Sequence, residues 1–285
     1  MESKNVVVAI ALSLAVILFW EAFMTVPNKN IEAQKKQEVE NKIKQDNDLA
    51  PSISSPEKNL IVSRKDSIQN VNRIQIKNPK VEGSISLKGG ILDDLSFKQY
   101  KQTIEKKDNI IFLNPKETEN GFFVETGWTS VGNKIKVPTI DTEWLIKGNK
   151  VLSPGNPITL EWNNNEGLVF RKKIEIDEKY LFKINQEIQN NTNQTVQLYP
   201  YSQMTRNKVP EDVMGFYILH EGFIGVFDGV LKEDDYDDIE DKKIVREADN
   251  GWLGITDKYW IAAIVPPKNE NFKSTFVYKN AYKAN

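Results

Sequence analysis

The chain has 285 residues, with 38 Lys and Arg against 40 Asp and Glu, one histidine and no cysteine. A formal net charge of −2 provides no broad basic field, so nucleic acid is excluded as an expected partner. Without cysteine there are no disulfides, thiolate metal sites or cysteine nucleophiles, and the single histidine, His220, excludes a site of several imidazoles within one chain.

The chain opens on an apolar run over residues 6–26, VVVAIALSLAVILFWEAFMTV, with Glu21 as its one charged residue and Ser13 and Thr25 as its other polar side chains. As a helix it measures roughly 30 Å, the thickness of a bilayer's hydrocarbon core. Val6, Ile10, Leu14, Ile17, Trp20 and Phe23 mark its length. Trp20, Glu21 and Phe23 fall near one end, where a carboxylate reaches the headgroups and aromatic rings are enriched. A cleaved signal peptide fits less well. Glu2 and Lys4 cancel in the MESK start, and the run ends in bulky FWEAFM without an A-x-A-like cleavage site. Residues 1–26 are therefore expected to be an uncleaved transmembrane anchor. Counting lysines gives Lys4 before the run and Lys29, Lys35, Lys36, Lys42 and Lys44 after it, which taken alone puts the C-terminal side in the cytoplasm. Acidic residues interleave with those lysines, and charge leaves the orientation open.

Residues 27–58 are rich in Gln, Asn, Lys and Glu and end near the turn-rich APSISSP. Ile31, Val39 and Ile43 are too sparse for a continuous apolar stripe, so the segment reads as a flexible polar tether. From residue 59 to 285 the pattern is β. In YLFKINQEI, Tyr180, Phe182, Ile184 and Ile188 share one side, the period-2 alternation of a half-buried strand. RIQIK (73–77), SISLK (84–88), ITLEW (158–162) and VQLYPYS (196–202) repeat it, while VFRKKIEI (169–176) fits less neatly. Gly89-Gly90, Asn120-Gly121, Gly148-Asn149, the Asn-rich 190–193 and Asn250-Gly251 supply turns. Many strands joined by tight turns predict a mainly β, antiparallel sandwich. A short helix is expected only within 209–220.

The acidic block KEDDYDDIEDKK (232–243) lacks the Gly and terminal Glu of an EF-hand loop and is expected to be a solvated, mobile loop. No P-loop, GxSxG elbow, HExxH or Gly-rich dinucleotide fingerprint occurs, and no catalytic residue, metal or cofactor is expected. His220-Glu221 is the only imidazole with an adjacent carboxylate; a backbone hydrogen bond is the plainer use of that ring. The most distinctive stretch is GWLGITDKYW (251–260), in which Asp257-Lys258 is expected to turn the chain between two apolar strands. Its tryptophans suit either the sandwich core or a partner-contact surface.

Taken together, these features resemble the YidC-type bacterial membrane protein insertases. The likeness rests on N-x-x-x-A-I-A-L-S…W-x-x-F at residues 5–23, then the polar tether, then Gly89, Gly90, Leu92, Leu95 and Tyr100. It continues with H-E-G-x-I-G-V, carrying His220, Glu221 and Gly222, and ends on Gly251, Trp252, Gly254, Asp257, Tyr259 and Trp260. The resemblance implies a first helix in the bacterial inner membrane with a cytoplasmic N-terminus. A periplasmic β-supersandwich, similar to sugar mutarotase-like domains, would follow it. The implied partners are the lipid bilayer and, through the full-length protein, nascent membrane proteins and the Sec translocon. The family's insertase core is a later set of transmembrane helices around a hydrophilic groove. No second apolar run of spanning length follows residues 260–265. The chain is therefore expected to be an N-terminal fragment that supplies anchor and scaffold, with an unpaired sheet edge near its C-terminus. The rival is a membrane-tethered carbohydrate-binding or sugar-active β-sandwich, which rests on architecture alone.

Overall fold

The computed structural model describes residues 12–14, 16, 62–105, 107–210, 213, 219–239 and 243–278. The chain divides into two units, residues 1–50 and 51–285. In the first, residues 12–14 and 16 are helical, and Leu12, Leu14 and Val16 are exposed. Among the described residues no helix is long and apolar enough to cross a membrane. The other expected anchor positions, Val6, Ile10, Ile17, Trp20 and Phe23, lie outside the described residues, as do the tether at 27–58 and most of the short helix expected within 209–220.

The second unit is mainly β, with antiparallel sheets. After one helical turn and a half, α1 (Arg64–Gln69), come β1 (Arg73–Lys77), β2 (Val81–Ser86), β3 (Ile91–Lys101), β4 (Asn109–Leu113), β5 (Phe122–Ser130), β6 (Leu145–Lys147), β7 (Val151–Leu152) and β8 (Ile158–Asn163). They are followed by β9 (Leu168–Ile176), β10 (Phe182–Asn190), β11 (Leu198–Arg206), β12 (Gly222–Phe227), β13 (Val230–Asp235), β14 (Lys243–Ala248), β15 (Gly251–Thr256), β16 (Ile261–Ile264) and β17 (Phe272–Val277). A seven-stranded sheet runs β11-β5-β3-β2-β1-β7, with β4 also on β3. It packs against a four-stranded sheet, β10-β9-β8-β6, through a core that includes Ile74, Ile85, Leu95, Trp128, Trp144, Leu160 and Phe170. A third sheet, β13-β12-β15-β16, and the ribbon β14-β17 enclose a smaller core of Phe227, Ala248 and Phe276. Among the described residues only β1 and β7 pair in parallel.

Alternation accounts for the strands that carry this core. In β9 every second residue, from Leu168 through Phe170, Lys172 and Ile174 to Ile176, is buried. Lys172 therefore occupies a core position, which is why the stretch looks irregular as sequence. RIQIK and ITLEW form β1 and β8 at the expected places, whereas SISLK is shifted, its strand beginning at Val81 and ending at Ser86. Tyr180 belongs to the turn before β10, because the Asp177 N–H bonds the Leu181 carbonyl and closes the chain there. The acidic block is not a loop throughout. Residues up to Asp235 are paired with β12, a 3-10 turn at Asp237–Ile239 buries Ile239 completely, and Asp234 takes both Arg246 nitrogens at 2.6 and 2.8 Å. Pairing and one buried isoleucine outweigh the solvation of the carboxylates. β17 has β14 as its one strand partner among the described residues, so each strand of that ribbon leaves an edge without a strand neighbour.

β3 carries a bulge. Ser84 pairs with Asp94 and Ile85 with Leu92, so Asp93 is skipped and both carboxylates are buried. Arg73 pairs with Asp93 and Arg64 with Asp94, and Ser84 Oγ donates to Asp94 at 2.6 Å. Burial pushes the Asp93 carboxyl up to about 6 against the pull of Arg73.

Candidate interaction surface

The far end of β3 leaves the core and enters a cluster of rings. Phe97 is buried, and around it stand Phe112 of β4 at 4.9 Å, Trp260 at 4.5 Å with planes 30° apart, Tyr180 at 5.8 Å and Tyr100 at 6.0 Å between centroids. Tyr100 meets Trp260 edge-on at 4.8 Å. These are tilted and T-shaped contacts of the kind that the ring quadrupole favours. Three sheets contribute: β3 and β4 from the first, the β9–β10 turn from the second and the β15–β16 turn from the third.

The tip of the β15–β16 turn falls one residue beyond the expected Asp257-Lys258. Asp257 and Trp260 exchange N–H to carbonyl bonds of 2.8 and 3.3 Å, which leaves Lys258 and Tyr259 at the tip. Below the tip the Asp257 carboxylate takes both guanidinium nitrogens of Arg206 on β11, with Nη2 to Oδ2 at 2.6 Å. Arg206 also donates to Tyr236 Oη at 3.1 Å and lies 4.2 Å from the Phe122 ring centroid. A bidentate pair of this kind fixes orientation as well as distance, so the hairpin presents its aromatic tip on a rigid support. The outer layer is exposed: Tyr259 at 72%, Leu181 at 63%, and Tyr100 and Tyr180 at 44% each.

The other positions singled out in the sequence go elsewhere. Gly89 and Gly90, with φ of 77° and 62°, form the β2–β3 turn, where a Cβ on Gly90 would stand 3.2 Å from Leu160 Cδ1, Lys172 Nζ and Trp144 Nε1. The His220 ring bonds the Phe223 carbonyl at 2.8 Å through Nε2 and lies 3.2 Å from Asp235 through Nδ1. Glu221 is buried, and Gly222, Gly251 and Gly254 lie in the β12–β15–β16 sheet. At Gly251 an added Cβ would fall 1.9 Å from the Val226 carbonyl oxygen, so only glycine allows the two backbones that approach. Trp252 pairs with Val226 and is half-buried.

Sequence reasoning missed a buried polar group between the two large sheets. Lys172 Nζ donates to the Gly89 carbonyl at 3.2 Å and lies 4.7 Å from the Trp144 ring centroid. Complete burial pulls its ammonium down to about 7, with the charge of Glu125 opposing. Glu125 on β5 is raised by desolvation and accepts from Tyr201 Oη at 3.2 Å. Its sign in the sequence is a lysine at a core-facing strand position. Among the described residues no group of three or more His, Cys, Asp or Glu side chains is placed to hold a metal ion. A shallow cleft of about 710 Å³ beside β1 and β2 is lined by residues such as Gln75, Lys77, Glu82 and Lys98, with no aromatic ring on its wall. It offers no stacking platform for a sugar, and Trp128 and Trp144 are core residues.

The model of the YidC periplasmic domain family matches residues 73–285. The chain belongs to the YidC family. It is 41% identical, over all of its length, to the membrane protein insertase YidC of Pelagibacter ubique strain HTCC1062, of which it covers 50%. The insertases of the same name from Methylorubrum extorquens strain PA1 and Bradyrhizobium diazoefficiens are 36% and 35% identical over 96% of the chain, which covers 49% and 48% of them. The chain thus spans about half the length of the YidC relatives that it matches. Within this YidC-family chain, Tyr100 and Trp260 are brought into ring contact, whereas His220, Gly251 and Trp252 belong to the third sheet.

Proposed function

We propose that this chain is the anchor and scaffold part of a membrane protein insertase, a non-enzymatic machine that inserts, folds and assembles inner-membrane proteins, alone or beside the Sec translocon. The observation that carries the reading is the match to relatives bearing that name over nearly the whole chain. In this reading residues 1–26 cross the bacterial inner membrane from a cytoplasmic N-terminus, 27–58 are the tether, and 59–285 stand in the periplasm. Nascent membrane segments and Sec components are met through the full-length protein, and no catalytic step is assigned to this part.

Two measurements test it. The full reading frame that contains this chain is reconstituted in proteoliposomes with a small single-span substrate synthesised in vitro. Protease protection of the substrate is expected, and its absence beside an active control insertase overturns the reading. Single cysteines at positions 4 and 145, placed in a chain that has none of its own, are then labelled in intact cells with an impermeant maleimide. Labelling at 145 alone is expected, and the opposite pattern refutes the orientation.

A further inference from the structure

We propose that the aromatic rim of Tyr100, Tyr180, Tyr259 and Trp260 docks the β domain onto the surface of an anionic lipid bilayer. This rests on the membrane-anchored reading above. Three observations lead to it.

The first is chemistry. The rim joins amphipathic rings to exposed aliphatic side chains: Leu181 beside Tyr180, Ile261 beside Trp260, and Ile104 three residues past β3. Rings with one polar edge above aliphatic groups suit the headgroup layer, where Tyr and Trp are enriched, better than they suit water. The second is charge. The segments that build the rim carry Lys98, Lys101, Lys107, Lys179 and Lys258 against Glu105, Asp108, Asp177 and Glu178, one lysine in excess, since Asp257 is occupied by Arg206. A lysine at the tip and a small positive balance favour anionic over neutral lipid. Lys258 Nζ already lies 5.4 Å from the Tyr259 ring centroid, so cation and ring act at the same tip.

The third is where the rest of the chain arrives. Residues before 62 lead into α1, where Arg64 binds Asp94 and Ser96, and the Val62 N–H bonds the Glu117 carbonyl at 3.2 Å. Asp94 and Tyr100 share β3, and the six residue steps from one to the other span roughly 20 Å. In the membrane-anchored reading 27–58 are a tether, and a flexible chain of that length would reach roughly 30 Å. An anchor so joined would keep the rim within roughly 50 Å of a lipid surface, at a high effective concentration, where even a weak interfacial affinity suffices.

The test uses the whole chain, reconstituted in vesicles of phosphatidylethanolamine and phosphatidylglycerol. Because the chain has no cysteine, Leu181→Cys, Tyr259→Cys and, as a reference, Leu145→Cys on β6 each take one environment-sensitive fluorophore. Docking predicts a blue shift at 181 and 259, loss of emission to nitroxide lipids labelled near the headgroup, and protection from aqueous iodide. These effects should weaken when phosphatidylglycerol is omitted or salt is raised, and position 145 should show none of them. If 181 and 259 behave like 145, the proposal fails. Protection from iodide without quenching by lipid also overturns it, because a polypeptide then covers the rim. Alkaline carbonate separates the two readings: a chain released from the vesicles refutes the anchor and the docking with it, while a retained chain with an unquenched rim refutes docking alone.

Discussion

Lys172 stands between Phe170 and Ile174 on the core face of β9, where an aliphatic side chain is the rule, and Tyr259 and Leu181 stand in water, where a lysine is the rule. The interior thus gives up stability to keep an ammonium that has no salt-bridge partner among the described residues. The rim gives up solubility to keep rings on the outside. Folding explains neither, but the two differ in what holds them. Lys172 is enclosed by well-packed neighbours, Gly89, Trp144 and Leu160 among them. The rim is supported from below by one ion pair and one buried ring, Phe97, and nothing among the described residues covers it from above. A misfit of the first kind is a stability question, and one of the second kind is a question about an environment.

Substitutions can break or sharpen that contrast, and the largest effect is expected at Lys172. Its folded pKa, about 7, is below the ordinary 10.5. The unfolded chain therefore binds the proton more tightly, and the cost is full below pH 7 and declines as pH rises towards 10.5. The full cost is on the order of 5 kcal/mol at about 1.4 kcal/mol per pKa unit, less about 1 kcal/mol for the Gly89 carbonyl that Lys172→Met leaves unbonded. Urea unfolding of the chain in detergent should show Lys172→Met more stable than the parent at pH 7, with the gap narrowing at pH 9. An equal gap at both values would mean that the lysine is not desolvated. Next comes Asp257→Ala, which strands the largely buried Arg206 and should cost about 3 kcal/mol. Removing both partners in Arg206→Met/Asp257→Ala should recover most of that loss. Trp260→Ala, which exposes Phe97 and deletes two ring contacts, should cost about 2 kcal/mol. Tyr259→Ala should change stability by less than about 0.5 kcal/mol. If Tyr259→Ala proved as costly as Trp260→Ala, the tip would be structural and the contrast drawn here would collapse.

Much of the fold was legible where alternation was clean, as in β1, β8 and the β15–β16 hairpin, whose tip lies at Lys258-Tyr259, one residue past the expected turn. β3 was not, because its bulge makes Ile91, Asp93, Asp94, Leu95, Ser96 and Phe97 all buried and erases the period of two. β13 was hidden by its acidic composition, which describes the solvent side of the strand and not its pairing. The rim was half legible. Tyr100, Tyr259 and Trp260 were each singled out, but their meeting depends on pairings as distant as β11 with β5 and β3 with β4, which no local pattern encodes. Lys172 was masked by its basic neighbours Arg171 and Lys173, since three cations in a row look like a solvated face until their alternation is counted.

The clamp at the entry of the domain has a mechanical consequence. Arg64 holds Asp94 and Ser96, and Ser67 Oγ holds Glu117 at 2.9 Å. A pull on the preceding chain therefore reaches β3, an interior strand of the seven-stranded sheet bonded on both sides, before it reaches β1 near the sheet's margin. Tension delivered to an interior strand is shared by hydrogen bonds on both of its sides, whereas an edge strand is held on one side alone. The domain is thus gripped at its N-terminal side by Arg64 on Asp94, and Arg73 of β1 ties to the neighbouring Asp93 behind it.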